Sequence, residues 1–435
     1  MKLLAAADLH LGRALGGVPC QWADDYSPRQ AWHDLIGRAI SERVDAVLLA
    51  GDVVDRENRF FEAYGVLHSG VARLSKAAIP VIAVAGNHDT AVLPELASTL
   101  DGLNFVLLGV GGCWEWHDIT DSAGRRLRIY GWSFPAQHHR HSPFEDPLAP
   151  GADAPAMRLG LLHCEYGQAA SAYAPVQSHE IQDSGIPLWM LGHIHVPQCH
   201  TPGNSTSAYY PGSLQGLDAG ESGIHGALLI DYDGDAQPTV TPIPIAKLAY
   251  LKISLPTADL DCRKAALTQA LCQAIDDALD DDCADIEAVV VDLNLAGQSA
   301  HSASEFRQIV HEFTENAIQD LGNRDVALRK HSYDIRPLPE EINLPEIAGG
   351  SDLLGTLAQA IIALEAGNLN DPVASDMLAE VTRNVRRAEA SPAFDQLAHA
   401  PLDAAAIQHQ TIAKAYELLG DLHRQRQQLQ ERNDA

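Results

Sequence analysis

The chain has 435 residues, of which 46% are hydrophobic and 20% charged, and its formal net charge is −28 at pH 7. This length predicts two or three domains, with cores large enough to need no disulfide staples. Seven cysteines, an odd number without a CxxC pair, argue against a disulfide framework and against a structural zinc site. No apolar stretch reaches the roughly 18 residues of a membrane span, so we expect a cytoplasmic protein that does not enter a membrane.

The first third of the chain alternates between strands and helices. Strands are predicted over residues 2–8, 45–52 and 80–87, with helices over Pro28–Val44 and Phe60–Ala78 between them. Apolar runs that alternate with helices indicate parallel strands buried on both faces. From about Asn104 the pattern changes to strands separated by turns, which predicts a second sheet stacked on the first. We therefore expect an α/β fold over residues 1–246, with a two-sheet sandwich core and flanking helices.

The rest of the chain divides into three further segments. Residues 247–336 follow a β-α-β-α-β pattern, with helices over Asp259–Leu279 and Ala303–Leu321, and predict a small α+β domain. Residues 337–349 hold three prolines and predict a linker, and residues 350–435 predict only helices. Apolar stripes on these last helices have two interpretations. The helices pack on each other or on the body, or they form a docking element that a partner buries.

Five short motifs each follow an apolar strand. They are ADLH (Ala7–His10), GDVVD (Gly51–Asp55), GNHD (Gly86–Asp89), the lone histidine of GLLHCEYG (His163) and GHIH (Gly192–His195). In open α/β sheets ligands bind beyond the carboxyl ends of the strands, where these motifs lie. Oxygen and imidazole ligands without thiolate suit Mn²⁺, Fe²⁺, Mg²⁺ or Zn²⁺. Two such cations side by side clamp a phosphate ester and activate water, so the motifs predict a two-metal phosphoesterase.

Seven side chains are the candidate metal ligands: Asp8, His10, Asp52, Asn87, His163, His193 and His195. Asp8 and His10 lie two residues apart, so they point to the same side of an extended segment and can hold one ion. His193 and His195 repeat this spacing. The single carboxylate of Asp52 is suited to bridge both ions.

Other polar residues in or near the motifs have separate predicted roles. His88 is a candidate catalytic residue, as a proton donor or a contact to the phosphate, and Asp89 is expected to orient its ring. Arg13, Arg56 and Arg59 are either contacts to the substrate's phosphates or exposed salt-bridge partners. The histidines of the loop over His138–Pro155 are expected on the solvated surface.

The order DxH, GDxxD, GNH(D/E), a lone His and GHxH resembles the calcineurin-like metallophosphoesterase superfamily. The opening ADLHLGR and the later YPGSLQ (Tyr210–Gln215) are similar to its SbcD-type DNA repair exonuclease branch, which includes YhaO-like members. The motif match covers residues 1–246. Residues 247–336 resemble the capping domain of that branch in order and size only. Residues 350–435 resemble, in position, the segment that docks on an SMC-like ABC ATPase of the SbcC or YhaN type.

The resemblance implies how the seven ligands are shared. One ion would take Asp8, His10, Asp52 and His195, and the other Asp52, Asn87, His163 and His193, with His88 as the catalytic histidine. It also implies Mn²⁺ as the usual cation, DNA as the substrate, an exonuclease or endonuclease subunit, and a homodimer.

Two other functions stay open at this stage. The first is a small-molecule phosphodiesterase or phosphatase, because one scaffold with one metal site serves many esters. The second is a regulatory or scaffolding subunit with an inactive site. The charge of −28 favours the first of these, since contacts to nucleic-acid phosphates need lysine and arginine. If DNA is the substrate, we expect a partner to supply much of the electrostatic attraction.

Overall fold

The computed structural model describes residues 1–55, 60–148, 153, 155, 157–203, 206–232, 238–279, 285–321, 323–337, 343–390 and 402–434. The chain divides into two compact units. The first unit comprises Met1–Leu251, Ala278–Val291 and Gly322–Arg329, and the second comprises Lys252–Asp277, Asp292–Leu321 and Lys330–Ala435.

Two six-stranded sheets form the body of the first unit. In chain order its strands and helices are β1 (Lys2–Ala6), α1 (Pro28–Glu42), β2 (Ala46–Ala50), α2 (Phe60–Lys76), β3 (Val81–Val84), α3 (Val92–Thr99), β4 (Phe105–Leu107), β5 (Glu115–Thr120), β6 (Arg126–Trp132), β7 (Met157–His163), β8 (Glu165–Tyr166), β9 (Pro175–Val176), α4 (Ser178–Asp183), β10 (Leu188–Gly192), β11 (Gln198–Gly203), β12 (Thr206–Tyr210), β13 (Gly226–Asp231) and β14 (Thr239–Pro244). One sheet has the order β14-β13-β1-β2-β3-β4 and the other β11-β12-β10-β7-β6-β5.

The central strands of the first sheet are buried on both faces. Leu4, Val47 and Leu49 lie in one apolar cluster with Trp32 and Ile36 of α1. Their alternate neighbours belong to a second cluster, which contains residues of both sheets: Leu3, Leu48, Ile82, Leu159, Leu161 and Met190. Each fully buried aliphatic side chain of this kind contributes about 1.5–3 kcal/mol of transfer free energy. The predicted two-sheet α/β core with flanking helices is confirmed.

Parallel pairing brings the strand ends that carry the motifs to one edge. Strands β1, β2 and β3 are adjacent and parallel, so their carboxyl ends lie side by side. In the second sheet β7 and β10 are also adjacent and parallel, with His163 opposite Gly192. Short bridges join the loops beyond these ends, pairing Ala7 with Ser213 and Leu11 with Val54.

A four-stranded sheet follows the sandwich in the chain. Its elements are β15 (Leu248–Pro256), α5 (Lys264–Leu279), β16 (Ala288–Ser299), α6 (Ala303–Thr314), β17 (Gln319–Asp320) and β18 (Asp325–Pro337), and its strand order is β15-β16-β18-β17. The predicted helix over Ala303–Leu321 is too long. It ends at Thr314, because the chain after it provides the short edge strand β17, a pairing that helical periodicity does not reveal.

Helices alone make up the rest of the described chain: α7 (Leu344–Ala348), α8 (Leu353–Glu365), α9 (Pro372–Glu389) and α10 (Ala404–Asp434). The predicted linker over residues 337–349 is therefore only partly irregular, because α7 packs its apolar side chains against α8; residues 338–342 lie outside the described part. The apolar stripes of α8 and α10 bury each other, with Leu357, Ile361 and Leu419 in one cluster. None of the described helices is long and apolar enough to cross a bilayer.

Candidate metal centre

The seven predicted ligands converge where the parallel strands of the two sheets end. Asp8 and His10 follow β1, Asp52 follows β2, Asn87 follows β3, and His163 ends β7. His193 and His195 follow β10. Asp8, His10, Asp52 and His163 are 0–1% exposed, so the side chains with the highest desolvation cost lie in the interior.

One group of ligand atoms forms around His10 and His195. Their Nε2 atoms lie 3.2 Å apart. His195 Nε2 is also 3.8 Å from Asp8 Oδ1, and His10 Nε2 is 3.9 Å from Asp52 Oδ2. Asp8, His10 and His195 each offer an atom to a space in which all three atoms lie within 4.8 Å of one another.

A second group forms around Asn87 and His163. Asn87 Oδ1 lies 3.0 Å from His163 Nε2 and 3.2 Å from His193 Nδ1. His163 Nε2 is also 3.4 Å from Asp52 Oδ2. The same Asp52 oxygen therefore faces both groups, which is the position that a bridging carboxylate needs.

The backbone at these positions is strained. Eight non-glycine residues of the described chain have a left-handed or otherwise positive φ, and four of them are Asp8 (50°), His10 (44°), Asp52 (49°) and His193 (102°). Such conformations are costly for residues with a Cβ, and they cluster at functional sites where the surrounding structure holds them in place. Here they aim two carboxylates and two imidazoles at a common space.

The donor set fits divalent cations. Two imidazole Nε2 atoms 3.2 Å apart, beside the buried carboxylates of Asp8 and Asp52, make a cluster of lone pairs that a cation between them would stabilise. Burial raises the pKa of Asp8 to about 6 and lowers that of His193 to about 3. Burial disfavours the charged imidazole of His163 too, but the Asp52 carboxylate raises its pKa to about 9. Cation binding between these two side chains would therefore displace a proton.

His88 lies at the open side of this cluster. Its side chain is 38% exposed, and its ring meets that of His10 edge-on with centroids 5.1 Å apart. Its backbone N–H donates to Asp52 Oδ1 at 2.8 Å, which fixes the loop against the bridging carboxylate. A half-exposed imidazole beside a buried ligand cluster can contact a phosphate or its leaving oxygen.

The carboxylate beside the His88 ring is Asp55, and the expectation that Asp89 orients this ring is wrong. His88 Nδ1 lies 3.5 Å from Asp55 Oδ1, and this contact raises the pKa of His88. Asp89 is fully buried and accepts hydrogen bonds from the backbone N–H groups of Gly86 and Val53, each at 2.7 Å. It therefore ties two motif loops together. Asp55 is the last residue of GDVVD, so the sequence showed it as a motif residue. Its contact with His88 was not predictable, because it depends on how the GDVVD and GNHD loops fold over each other.

The expectations for the motif arginines and for the loop histidines remain to be compared with the structure. Arg56 and Arg59 lie outside the described residues. In the loop that begins at His138, His138 and His141 are exposed as expected, whereas His139 is half-buried and pairs with Tyr173 in a short bridge. The Tyr173 ring lies against that of His193, with centroids 4.9 Å apart. Tyr173 therefore contacts both this loop and a candidate ligand.

Comparison with known proteins agrees with the fold. Residues 1–197 match the family model for calcineurin-like phosphoesterases. This part of the chain is a calcineurin-like metallophosphoesterase domain, a class that uses two divalent metals.

Among curated proteins, the chain is similar to the uncharacterised metallophosphoesterase YhaO of Bacillus subtilis, with 29% identity over 53% of this chain and 57% of the relative. It is similar to the DNA double-strand break repair protein Mre11 of Aeropyrum pernix, with 25% identity over 59% and 64%. It is also similar to SbcD, a component of the SbcCD nuclease of Rhodobacter capsulatus, with 28% identity over 56% and 69%. The match thus spans about three fifths of the length of the first two relatives.

Proposed function

We propose that this protein is a two-metal phosphodiesterase that cleaves DNA, as the nuclease subunit of an SbcCD-like processing complex. The convergence of Asp8, His10, Asp52, Asn87, His163, His193 and His195 at one edge carries the phosphodiesterase part of this proposal. The DNA part is supported by the resemblance of the chain to Mre11 and to SbcD of the SbcCD nuclease.

The chain's own residues have distinct roles in the proposed reaction. Two divalent cations, with Mn²⁺ as the first candidate, would supply positive charge to the phosphate and lower the pKa of the attacking water. Asp52 holds the two halves of the site together, because one of its oxygens faces both groups while the other accepts the His88 N–H. His88, protonated and oriented by Asp55, donates a proton to the leaving oxygen or a hydrogen bond to the phosphate.

A small-molecule phosphodiesterase is the second candidate, and the formal charge of −28 favours it. The test is a comparison of substrates with Mn²⁺ present: linear duplex DNA, cyclic nucleotides and bis-p-nitrophenyl phosphate. Degradation of linear duplex DNA that stops on chelation supports the nuclease. Turnover of cyclic nucleotides with intact DNA would replace it by the second candidate. A purified protein that binds no divalent cation would instead revive the scaffolding subunit.

We propose an SMC-like ATPase as the partner, with residues 350–435 as its contact. The apolar stripes of this segment are used within the segment itself, so the contact would use side chains that remain exposed, such as Leu353 (70%) and Leu418 (51%). Purification of the chain together with the SMC-like ATPase of the same genome tests this, and L353A/L418A should weaken the complex. Size-exclusion chromatography with light scattering tests the proposed homodimer.

A further inference from the structure

Glu221 connects the YPGSLQ segment to one candidate ligand of the metal centre. Its Oε1 lies 2.7 Å from Nδ1 of His195. Its Oε2 accepts two hydrogen bonds, from the hydroxyl of Ser213 at 2.7 Å and from the backbone N–H of Leu217 at 3.0 Å. Both oxygens of this half-buried carboxylate are therefore occupied, and one of them holds an imidazole of the site.

This arrangement determines which nitrogen of His195 is free. An ionised carboxylate only accepts hydrogen bonds, so the 2.7 Å contact requires a proton on His195 Nδ1. The lone pair of this neutral imidazole is then on Nε2, the atom that lies 3.2 Å from His10 Nε2 and 3.8 Å from Asp8 Oδ1. Glu221 thus directs the lone pair of His195 into the group formed with Asp8 and His10.

Glu221 is itself held from behind. Ser213 is fully buried and His225 is 2% exposed. Nδ1 of His225 lies 3.0 Å from Ser213 Oγ, and Nε2 of the same ring lies 3.1 Å from the backbone oxygen of Glu221. The segment that carries Ser213 is also paired with Ala7, directly before Asp8. The carboxylate therefore sits in a network that is anchored to the loop of the ligands it serves.

The imidazole of His163 is held by a hydrogen bond to an uncharged group. His163 Nδ1 lies 3.0 Å from the backbone carbonyl oxygen of Ala50. A carbonyl fixes the ring but carries no charge, whereas the carboxylate of Glu221 also makes the imidazole more basic. His195 is thus the ligand whose affinity for a cation depends on a side chain that can be substituted.

We propose that Glu221 is a positioning residue that fixes the ring and tautomer of His195 and so sets the affinity of the cation bound by Asp8, His10 and His195. This inference rests on the proposed two-metal function and deepens it. It also gives YPGSLQ a physical role, because Ser213 of that segment holds the carboxylate in place.

The test is calorimetric titration of the purified full-length chain with Mn²⁺ alone, compared with E221A, E221Q and S213A. For E221A we expect one of two binding events to weaken by about 10–100-fold, with the other unchanged. E221Q should recover part of the loss, since its amide oxygen still accepts from Nδ1. S213A should weaken the same event by less. Asp121→Ala is the control. Asp121 also accepts hydrogen bonds from backbone N–H groups, those of Ala123 and Arg125, but it lies beside Met1, at the opposite end of β1 from Asp8 and His10.

The outcomes separate the two proposals. A wild-type chain that binds fewer than two Mn²⁺ ions overturns the two-metal function itself. Two normal binding events in E221A overturn the role of Glu221 and leave the two-metal function intact. Equal weakening of both events, without rescue by E221Q, shows a structural role only and also overturns the inference. If E221A does not fold, E221Q and S213A still decide, because an unchanged affinity in both contradicts the proposed network.

Discussion

The two compact units bury different kinds of polar groups. In the first unit carboxylates and imidazoles are buried, among them Asp8, Asp52, His10 and His163. In the described part of the second unit the buried polar residues carry only hydroxyls: Thr257, Ser299, Ser302 and Thr411. Buried ionisable groups are far more costly than hydroxyls, and proteins retain them where they are paired or coordinate metals. We therefore expect the proposed chemistry to take place in the first unit.

The strand patterns show the same contrast. From Leu251 to Pro256 strand β15 alternates between buried and exposed residues, with Lys252 and Ser254 facing solvent. Such a strand solvates its polar groups in the ordinary way. Strands β1, β2 and β3 have no polar residue within them apart from Lys2 at the start of β1, and polar side chains begin again only where these strands end. The polar residues that follow these three strands thus lie at one edge of the first sheet.

Replacing Asp52 should have the largest effect on the polar edge of the first unit. Asp52→Asn removes the carboxylate that faces both ligand groups, so we expect loss of two-site Mn²⁺ binding. Activity on bis-p-nitrophenyl phosphate should fall about a thousandfold or more, because bound metal supplies several kcal/mol of stabilisation. Calorimetry and initial rates measure the two effects, and Asp121→Asn serves as the control. Intact binding of two ions by Asp52→Asn would contradict the bridging role.

Replacing His88 should separate binding of metal from chemistry. His88 is half-exposed and is not among the seven proposed ligands, so His88→Ala should retain both Mn²⁺ ions. The rate should fall by about a hundredfold or more, the usual contribution of a proton donor. The measurements are metal stoichiometry and kcat on the same ester. Full activity in this variant would remove His88 from the mechanism.

A core substitution in the second unit should lower the free energy of unfolding and leave the activity unchanged. Leu419 is fully buried among the apolar residues of α8 and α10, so Leu419→Ala should lower the free energy of unfolding by about 3 kcal/mol through the cavity it leaves. Hydrolysis of bis-p-nitrophenyl phosphate should stay unchanged. Urea unfolding followed by circular dichroism gives the first quantity. A large loss of kcat in this variant would show that the second unit contributes to the chemistry.

The sequence predicted that the motif residues meet at one edge, because each motif follows an apolar strand and parallel strands end at a common edge. It assigned the wrong carboxylate to His88, since Asp55 and Asp89 both lie in motif loops and only the strained loop conformations decide which one meets the ring. Glu221 was missed because it follows no strand and stands apart from the five motifs. A glutamate a few residues after YPGSLQ was the only signal for it.

In the helical segment the stripes were predictable, but what covers them was not. A stripe such as Leu357–Ile361 states that one face of a helix is buried. It contains no information on whether the covering surface belongs to the same chain. The structure shows α8 and α10 covering each other, and Arg307 of α6 pairs with Glu417 of α10 at 2.9 Å.

The smallest predicted effect concerns the pH dependence that Asp55 gives to the site. The hydrogen bond to Asp55 raises the pKa of His88 above its ordinary value, against the opposing effect of burial. If protonated His88 is the active form, the rate falls as the pH rises through this raised pKa.

Asp55→Asn removes the negative charge but keeps an amide that can contact the ring. The pKa of His88 should then drop, and the alkaline limb of the kcat profile should move to lower pH while metal binding is retained. The profile should be measured at saturating Mn²⁺ for both proteins. An unmoved alkaline limb would mean that His88 acts as a neutral hydrogen-bond donor to the phosphate, and that the proton for the leaving oxygen comes from another group.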